Sequence, residues 1–186
     1  MLASLEKVSN AIADFLPVKV NITCSTDFYY DFEKDEIGWS FMCPERQDKT
    51  FSFFFEEILK CPKISSLVYS IYHEFGHKMT LTDKDKEDWD FIQVETDDII
   101  NEIDDPYAKD FAYYDLPLER EASEWAVNYI RAHYEEIVKW YEEVLMPLFE
   151  EVYNELNLFN EFVTLMEESE SNDERDGLSA AARTCD

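Results

Sequence analysis

The chain has 186 residues, a net charge of −27 and only three glycines. A chain of this length forms one domain, or one domain with an appendage, and can bury a core. The chain contains 43 Asp and Glu but only 16 Lys and Arg. Such an acidic surface disfavours direct binding to nucleic acid or to anionic membranes and favours basic protein partners. The scarcity of glycine indicates helices rather than loops or repeats.

The N-terminal residues predict an amphipathic helix and not a signal peptide. Leu2, Leu5, Ile12 and Leu16 form an apolar stripe with acidic residues between them. No apolar run along the chain approaches the length of a membrane span. The four cysteines are far apart in sequence, with no C-x-x-C pair. We therefore expect free thiols in a reducing, cytoplasmic environment, with a disulfide from Cys61 to Cys24 or Cys43 as the alternative.

Four segments between the first helix and residue 56 have the alternating or aromatic and β-branched composition of strands. They are residues 18–24, 28–32, 37–42 and 51–55. They predict a small twisted sheet of three to four strands, mostly antiparallel, packed on a helix that follows it. The fold class expected is α+β.

The sequence HEFGH at 73–77 is the motif with the clearest chemical meaning. On a helix, residues four apart are separated by about 40° around the axis and about 6 Å along it, so His73 and His77 face the same space. Zinc, at about 2.0–2.1 Å from each imidazole nitrogen, fits between them, and Glu74 lies beside the pair as a candidate general base. The simpler alternative is a core helix with two hydrogen-bonded histidines. The charge of Lys78 indicates that this side of the helix reaches solvent.

The stretch from residue 83 to 105 contains many more acidic than basic residues, yet Trp89, Ile92, Ile99 and Ile103 keep an approximate helical stripe. We predict an acidic-faced helix with frayed ends. Charge runs of this kind are most often solvated surface without a function. A functional role would be the attraction of a basic substrate.

A second helix is predicted to begin at residues 115–117, with Asp115 as its N-cap and Pro117 in its first turn. Residues 137–168 then continue a near-heptad apolar stripe, which fits either packing on the same domain or a homodimer seam. Pro147 is expected to kink or break this helical extension. Residues 169–186 have the composition of a disordered tail.

Together, HEFGH and the downstream sequence EREASEWA at 119–126 resemble the gluzincin clan of zinc peptidases, most of all the ImmA/IrrE type. That type follows its H-E-x-x-H helix with a helix of pattern E-x-x-A-(N or D)-x-F-A. The resemblance implies a zincin-like domain over residues 1–136 and Glu119 as the third zinc ligand, beside His73 and His77. Glu121 is the competing ligand, displaced by about 200° around the helix from Glu119.

The chain departs from that family's pattern at several points. Ser123 replaces the usual Asn or Asp, Trp125 replaces Phe, and the gap between the two motifs is long. The remaining histidine, His133, is fourteen residues beyond Glu119, about 21 Å along a straight helix, so both cannot bind one ion. We expect His133 on the helix surface or at an interface.

The resemblance implies a zinc-dependent endopeptidase that hydrolyses a peptide bond in a basic protein, such as a DNA-binding regulator. Zn²⁺ is the implied cofactor, Glu74 the implied general base, and Tyr113 or Tyr114 the candidate stabiliser of the oxyanion. The alternative is a non-catalytic acidic binding protein or DNA mimic that retains a zinc site or only its sequence. A zinc-binding pseudoenzyme is a further alternative.

Overall fold

The computed structural model describes residues 3–40 and 66–157, apart from the side chains of Ser66, Tyr107 and Asp110. These residues form an α+β fold. The predicted strand at 51–55 and the tail at 169–186 lie outside the described residues. The helices are α1 (Ala3–Phe15), α2 (Ser66–Thr80), α3 (Asp83–Glu87), α4 (Trp89–Asn101), α5 (Pro106–Asp115), α6 (Pro117–Ala132) and α7 (Tyr134–Trp140), and the strands are β1 (Asn21–Cys24), β2 (Tyr29–Asp31) and β3 (Glu36–Trp39).

The three strands form a mixed sheet in the order β1, β3, β2. Ile37 of β3 lies opposite Ile22 of the parallel strand β1 and opposite Tyr30 of the antiparallel strand β2. The expectation of a mostly antiparallel sheet is therefore wrong for one of the two pairings. The reason is burial: β3 contains Ile37 and Trp39, both fully buried, and so takes the central position with a strand on either side.

The core lies between the sheet, α1, α2 and the C-terminal helical residues. Trp39 of β3 donates its indole N–H to Ser9 Oγ of α1 at 2.8 Å, so the largest buried side chain of the sheet is also hydrogen-bonded. The ring of Phe15 stacks on Trp140, with 4.2 Å between centroids. At the other end of α1, the backbone N–H and the hydroxyl of Ser4 donate to Glu155. The described part of the C-terminal extension therefore packs against α1 of the same chain.

The C-terminal helix does not break at Pro147. A π-helical turn at Tyr141–Leu145 precedes the proline, and helical residues continue over 146–157. Proline has no N–H to donate to the preceding turn and its ring crowds the carbonyl four residues earlier. A locally wider turn relieves both problems without ending the helix.

The acidic stretch forms two helices rather than one. A capping box between Thr82 and Asp85 begins α3, and the chain then passes through Asp88 into α4. Neither helix contains a buried residue, although Trp89 contacts Phe32 of the β2–β3 turn edge-on at 5.3 Å. Within the described parts of the chain, no helix is both long and apolar enough to span a membrane.

Helix α5 was not expected from the sequence, although the sequence contains its start signal. Asp105 accepts a hydrogen bond from the backbone N–H of Ala108, and Pro106 occupies the first turn. The same type of signal, Asp115 before Pro117, predicted the start of α6. Asp115 is instead the last residue of α5, and α6 begins at Pro117 without a side-chain cap. Asp115 cannot cap α6 because α5 continues as far as this residue.

Candidate metal site

The site is formed where α2 and α6 come into close contact. A Cβ atom added to Gly76 of α2 would lie 2.4 Å from the backbone oxygen of Ala122 in α6. Only glycine allows this approach without a shift of the backbone. His73 lies three residues before Gly76, and Glu119 lies three residues before Ala122. The close contact therefore brings these two side chains together.

His73, His77 and Glu119 direct their polar atoms at one point. Glu119 Oε2 lies 3.0 Å from His73 Nε2 and 3.5 Å from His77 Nε2, and the three ligand atoms lie within 4.8 Å of one another. For a tetrahedral zinc site with bonds of about 2.0–2.1 Å, ligand atoms are about 3.3 Å apart. The two separations between the carboxylate and the imidazoles bracket that value. This group could hold a metal ion, and its donor atoms suit zinc.

Glu119, and not Glu121, faces the two histidines. The side chain of Glu119 is only 13% exposed, whereas Glu121 is an exposed residue on another side of α6. The roughly 200° rotation between residues two apart on a helix accounts for this difference.

Ser123 orients the imidazole of His73. Its hydroxyl oxygen is buried and lies 3.1 Å from His73 Nδ1. A histidine that binds a metal through Nε2 carries its proton on Nδ1, and that N–H then donates to Ser123 Oγ. From the sequence, Ser123 was only a departure from the pattern of the family that the chain resembles. Its position, one helical turn after Glu119, was the available signal for this contact.

Glu74 is buried next to the histidines, with 9% of its surface exposed. Burial raises the pKa of its carboxyl group, and the nearby His73 and His77 only partly offset this effect. A carboxyl group with a raised pKa can both accept and release a proton more readily near neutral pH than an exposed one.

His77 of α2 and Glu119 of α6 also shift each other's pKa. Burial lowers the pKa of His77, but the hydrogen bond to Glu119 and its charge outweigh burial, so the pKa lies above its usual value of 6.5. Burial would raise the pKa of Glu119, but its hydrogen bonds with His73 and His77 hold it well below the usual range. Glu119 is therefore ionised at neutral pH and available as a ligand.

Tyr113 and Tyr114 both lie beside the site and make different contacts with it. The hydroxyl of Tyr113 donates to Glu119 Oε1 at 2.8 Å. Burial and the charge of Glu119 raise the pKa of this phenol, which keeps it a hydrogen-bond donor at neutral pH. The ring of Tyr114 lies edge-on to the imidazole of His73, with 6.1 Å between centroids. Tyr113 thus contacts a candidate ligand residue, and the role of either tyrosine in stabilising an oxyanion stays a prediction.

Lys78 does not bring its side of α2 into open solvent, contrary to expectation. Its side chain is only 14% exposed, and its ammonium group pairs with Asp35 Oδ1, which also accepts from Tyr30 Oη at 3.1 Å. Asp35 has a φ of 49°, in the left-handed region. The charge of Lys78 can lie in this largely buried helix because the carboxylate of Asp35, in the β2–β3 turn, neutralises it.

His133 lies away from this group, at the C-terminal end of α6. It lies 3.3 Å from Glu136 and stacks on Tyr129, and its side chain is 41% exposed. The structure therefore brings together His73, His77 and Glu119 and leaves His133 on the surface.

The fold and the site define an α+β protein in which two contacting helices present a His/His/Glu group that could hold a metal ion. Comparison with protein-family models, with curated proteins and with solved structures finds no match for this chain. The resemblance to gluzincin peptidases therefore depends on the residues at 73–77 and 119–126 themselves.

Proposed function

We propose that this protein is a zinc-dependent endopeptidase of the gluzincin type, with His73, His77 and Glu119 as ligands. The observation that carries the proposal is the convergence of these three donor atoms, with 3.0 Å and 3.5 Å between the carboxylate and the two imidazoles. Glu74 is buried next to them. A buried general-base candidate beside such a donor set is the arrangement that metal-assisted hydrolysis requires.

In the proposed reaction, water attacks the carbonyl carbon of the scissile peptide bond. Zinc, when bound, supplies Lewis acidity that activates the water and polarises the carbonyl. Glu74 takes a proton from the attacking water and later delivers it to the nitrogen of the leaving amine, as the C–N bond breaks. Ser123 keeps the imidazole of His73 in a fixed orientation through its contact with Nδ1.

Two substitutions separate metal binding from hydrolysis. Glu119→Gln should remove most of the bound metal, because the anionic ligand is lost, whereas the exposed Glu121→Gln should retain it. Glu74→Gln should keep the metal and abolish hydrolysis, because an amide preserves the shape but cannot act as a base. Metal content of the purified proteins and cleavage of a peptide library are the measurements. Equal cleavage by the wild type and Glu74→Gln would contradict the role of Glu74.

The substrate proposed is a basic protein, such as a DNA-binding regulator. Helices α3 to α5 lie in sequence between His77 and Glu119, and α3 and α4 have no buried residue. Their field attracts a positively charged chain, and such steering raises association rates by about 10–10³-fold. The effect weakens with salt, since the Debye length is about 8 Å at physiological ionic strength.

The contribution of this acidic surface can be measured without disturbing the metal site. Asparagine is the suitable replacement because Asp105 caps α5 and asparagine caps helices equally well. The test variant replaces four exposed aspartates by asparagine: Asp97, Asp98, Asp104 and Asp105. The control replaces four exposed glutamates elsewhere by glutamine: Glu6, Glu135, Glu143 and Glu150.

The aspartate variant should cleave basic peptides more slowly at low salt, with unchanged zinc content, while the glutamate control loses less of its rate. The difference between the two variants should shrink as salt is added. Equal losses in both would show that net charge, and not the position of the acidic helices, steers the substrate. A salt-independent preference for neutral peptides would remove the electrostatic argument altogether.

A second candidate function is a non-catalytic acidic binding protein. The net charge of −27 favours it, because peptide hydrolysis does not require such a charge. Binding of a basic target by Glu119→Gln as tight as by the wild type, together with no detectable hydrolysis by either protein, would favour this function over the peptidase.

A further inference from the structure

Tyr113 distinguishes the two oxygens of the Glu119 carboxylate. Its hydroxyl donates to Oε1 at 2.8 Å, while Oε2 lies 3.0 Å from His73 Nε2 and 3.5 Å from His77 Nε2. Tyr113 belongs to the last turn of α5, and Glu119 to the first turn of α6. The two carboxylate oxygens therefore have different partners, held by different elements of the fold.

We propose that Tyr113 is a positioning residue that holds Glu119 as a single-oxygen metal ligand and keeps the fourth coordination position open. This inference depends on the metal site of the proposed function. With one oxygen of Glu119, the two imidazoles and the carboxylate supply three donor atoms and leave one tetrahedral position for a reactant. If both oxygens of Glu119 bound the ion, a water or a reactant could join them only as a fifth ligand, in a crowded site. A hydrogen bond to Oε1 opposes this rearrangement, because the bond would have to lengthen.

The surroundings of Tyr113 make it suited to this role and easy to test. Tyr113 is 37% exposed as a whole residue, and phenylalanine in its place lacks only the hydroxyl oxygen. The ring contacts Tyr114 edge-on at 5.2 Å, and Tyr114 in turn contacts the imidazole of His73. Tyr113→Phe keeps these ring contacts and removes only the donor.

The test uses Co²⁺ in place of zinc, because four-coordinate Co²⁺ absorbs visible light more strongly than five-coordinate Co²⁺. In Tyr113→Phe, the second oxygen of Glu119 becomes free to bind, so the visible absorption should fall. Metal affinity, measured by competition with a chelator, should weaken by about tenfold, the usual lower range for a lost outer-shell partner. The control is Tyr153→Phe, which should change neither measurement, because Tyr153 lies among the C-terminal helical residues and is 65% exposed.

A second pair of variants separates the hydrogen bond from the shape of the ring. Replacement of Tyr113 by 4-aminophenylalanine keeps an N–H donor at the same ring position and should restore the wild-type absorption. Replacement by 4-methylphenylalanine has a similar shape without a donor and should behave like Tyr113→Phe. This pair also gives the answer if Tyr113→Phe does not fold.

Two results would overturn the inference while leaving the metal site intact. One is a wild-type Co²⁺ spectrum that is already five-coordinate. The other is a Tyr113→Phe protein with the spectrum and affinity of the wild type. If the wild type binds no Co²⁺ at all, the metal site itself is refuted, and the role of Tyr113 falls with it. Metal binding without hydrolysis would refute only the peptidase reaction.

Discussion

Replacing Gly76 with alanine has two opposite effects on stability: it improves the helix propensity of α2 and disrupts the contact between α2 and α6. The added Cβ would lie 2.4 Å from the oxygen of Ala122, whereas ordinary contacts begin at 3.4 Å, so the helices must separate by about 1 Å. Such overpacking costs about 1–3 kcal/mol. Alanine in a helix interior recovers about 0.8–1 kcal/mol relative to glycine. We expect a net loss of about 0–2 kcal/mol, or about 2–4 °C in Tm for each kcal/mol.

The same substitution should affect metal binding more than it affects stability. His73 and Glu119 each lie one helical turn before the point of contact, so separation of the helices widens the gap of 3.0 Å between their ligand atoms. Metal sites tolerate deviations of about 0.2 Å in bond length. A displacement several times larger should weaken affinity by about 10–100-fold, comparable to the loss of an outer-shell partner.

Thermal unfolding and chelator competition on the same preparations measure both effects of Gly76→Ala. Met79→Ala is the control, because Met79 is exposed on the same helix and its truncation meets no backbone atom. Ala122→Gly should not rescue the variant, because the added Cβ meets the backbone of Ala122 and not its methyl group. If Gly76→Ala were more stable than the wild type and bound zinc equally well, the close contact would not be what forms the site.

Three further predictions concern the surroundings of the site. Ser123→Ala removes the partner of His73 Nδ1, and metal affinity measured by chelator competition should fall about 10–100-fold with little change in secondary structure. In urea unfolding, Asp35→Asn should lower the free energy of unfolding by about 1–3 kcal/mol, because it leaves the mostly buried charge of Lys78 unpaired. Lys78→Met should lower it less, because the carboxylate left behind on Asp35 is about half exposed, and equal losses would contradict this. Metal affinity should fall by about tenfold per pH unit once pH drops below the pKa of His77, which lies above 6.5 in the metal-free site, and a flat profile between about pH 8 and pH 6 would contradict it.

The sequence predicted those features of the fold that depend on local patterns. The apolar stripe of α1 and the composition of the three strands depend on neighbouring residues only, and each element formed near its expected position. The pairing of the strands depends on which strand is most buried in the complete fold. No local pattern reports that β3, with Ile37 and Trp39, takes the centre of the sheet.

In the candidate site, too, local patterns predicted some features, and others depended on contacts between elements distant in sequence. Helical periodicity alone places His73 and His77 on one face of α2. The choice between Glu119 and Glu121 required the orientation of α6, which is set by its contact with α2 at Gly76. The partners of Lys78 and Tyr113 come from the β2–β3 turn and from the junction of α5 and α6. Contacts between elements distant in sequence leave no periodic signal, so these could not be read from the chain.

If the proposed peptidase function holds, the arrangement of the helices separates substrate capture from chemistry. The ligands lie on α2 and α6, which are in close contact, while α3 and α4, inserted between them in sequence, have no buried residue. Charge changes on α4 therefore alter the field that an approaching chain meets, without moving the packed helices that hold the donor atoms. Tyr113 is the structural link between the two parts, since it lies in the last turn of α5, which follows α4, and donates to Glu119. A substitution at this tyrosine should be the one change near the insert that alters metal coordination.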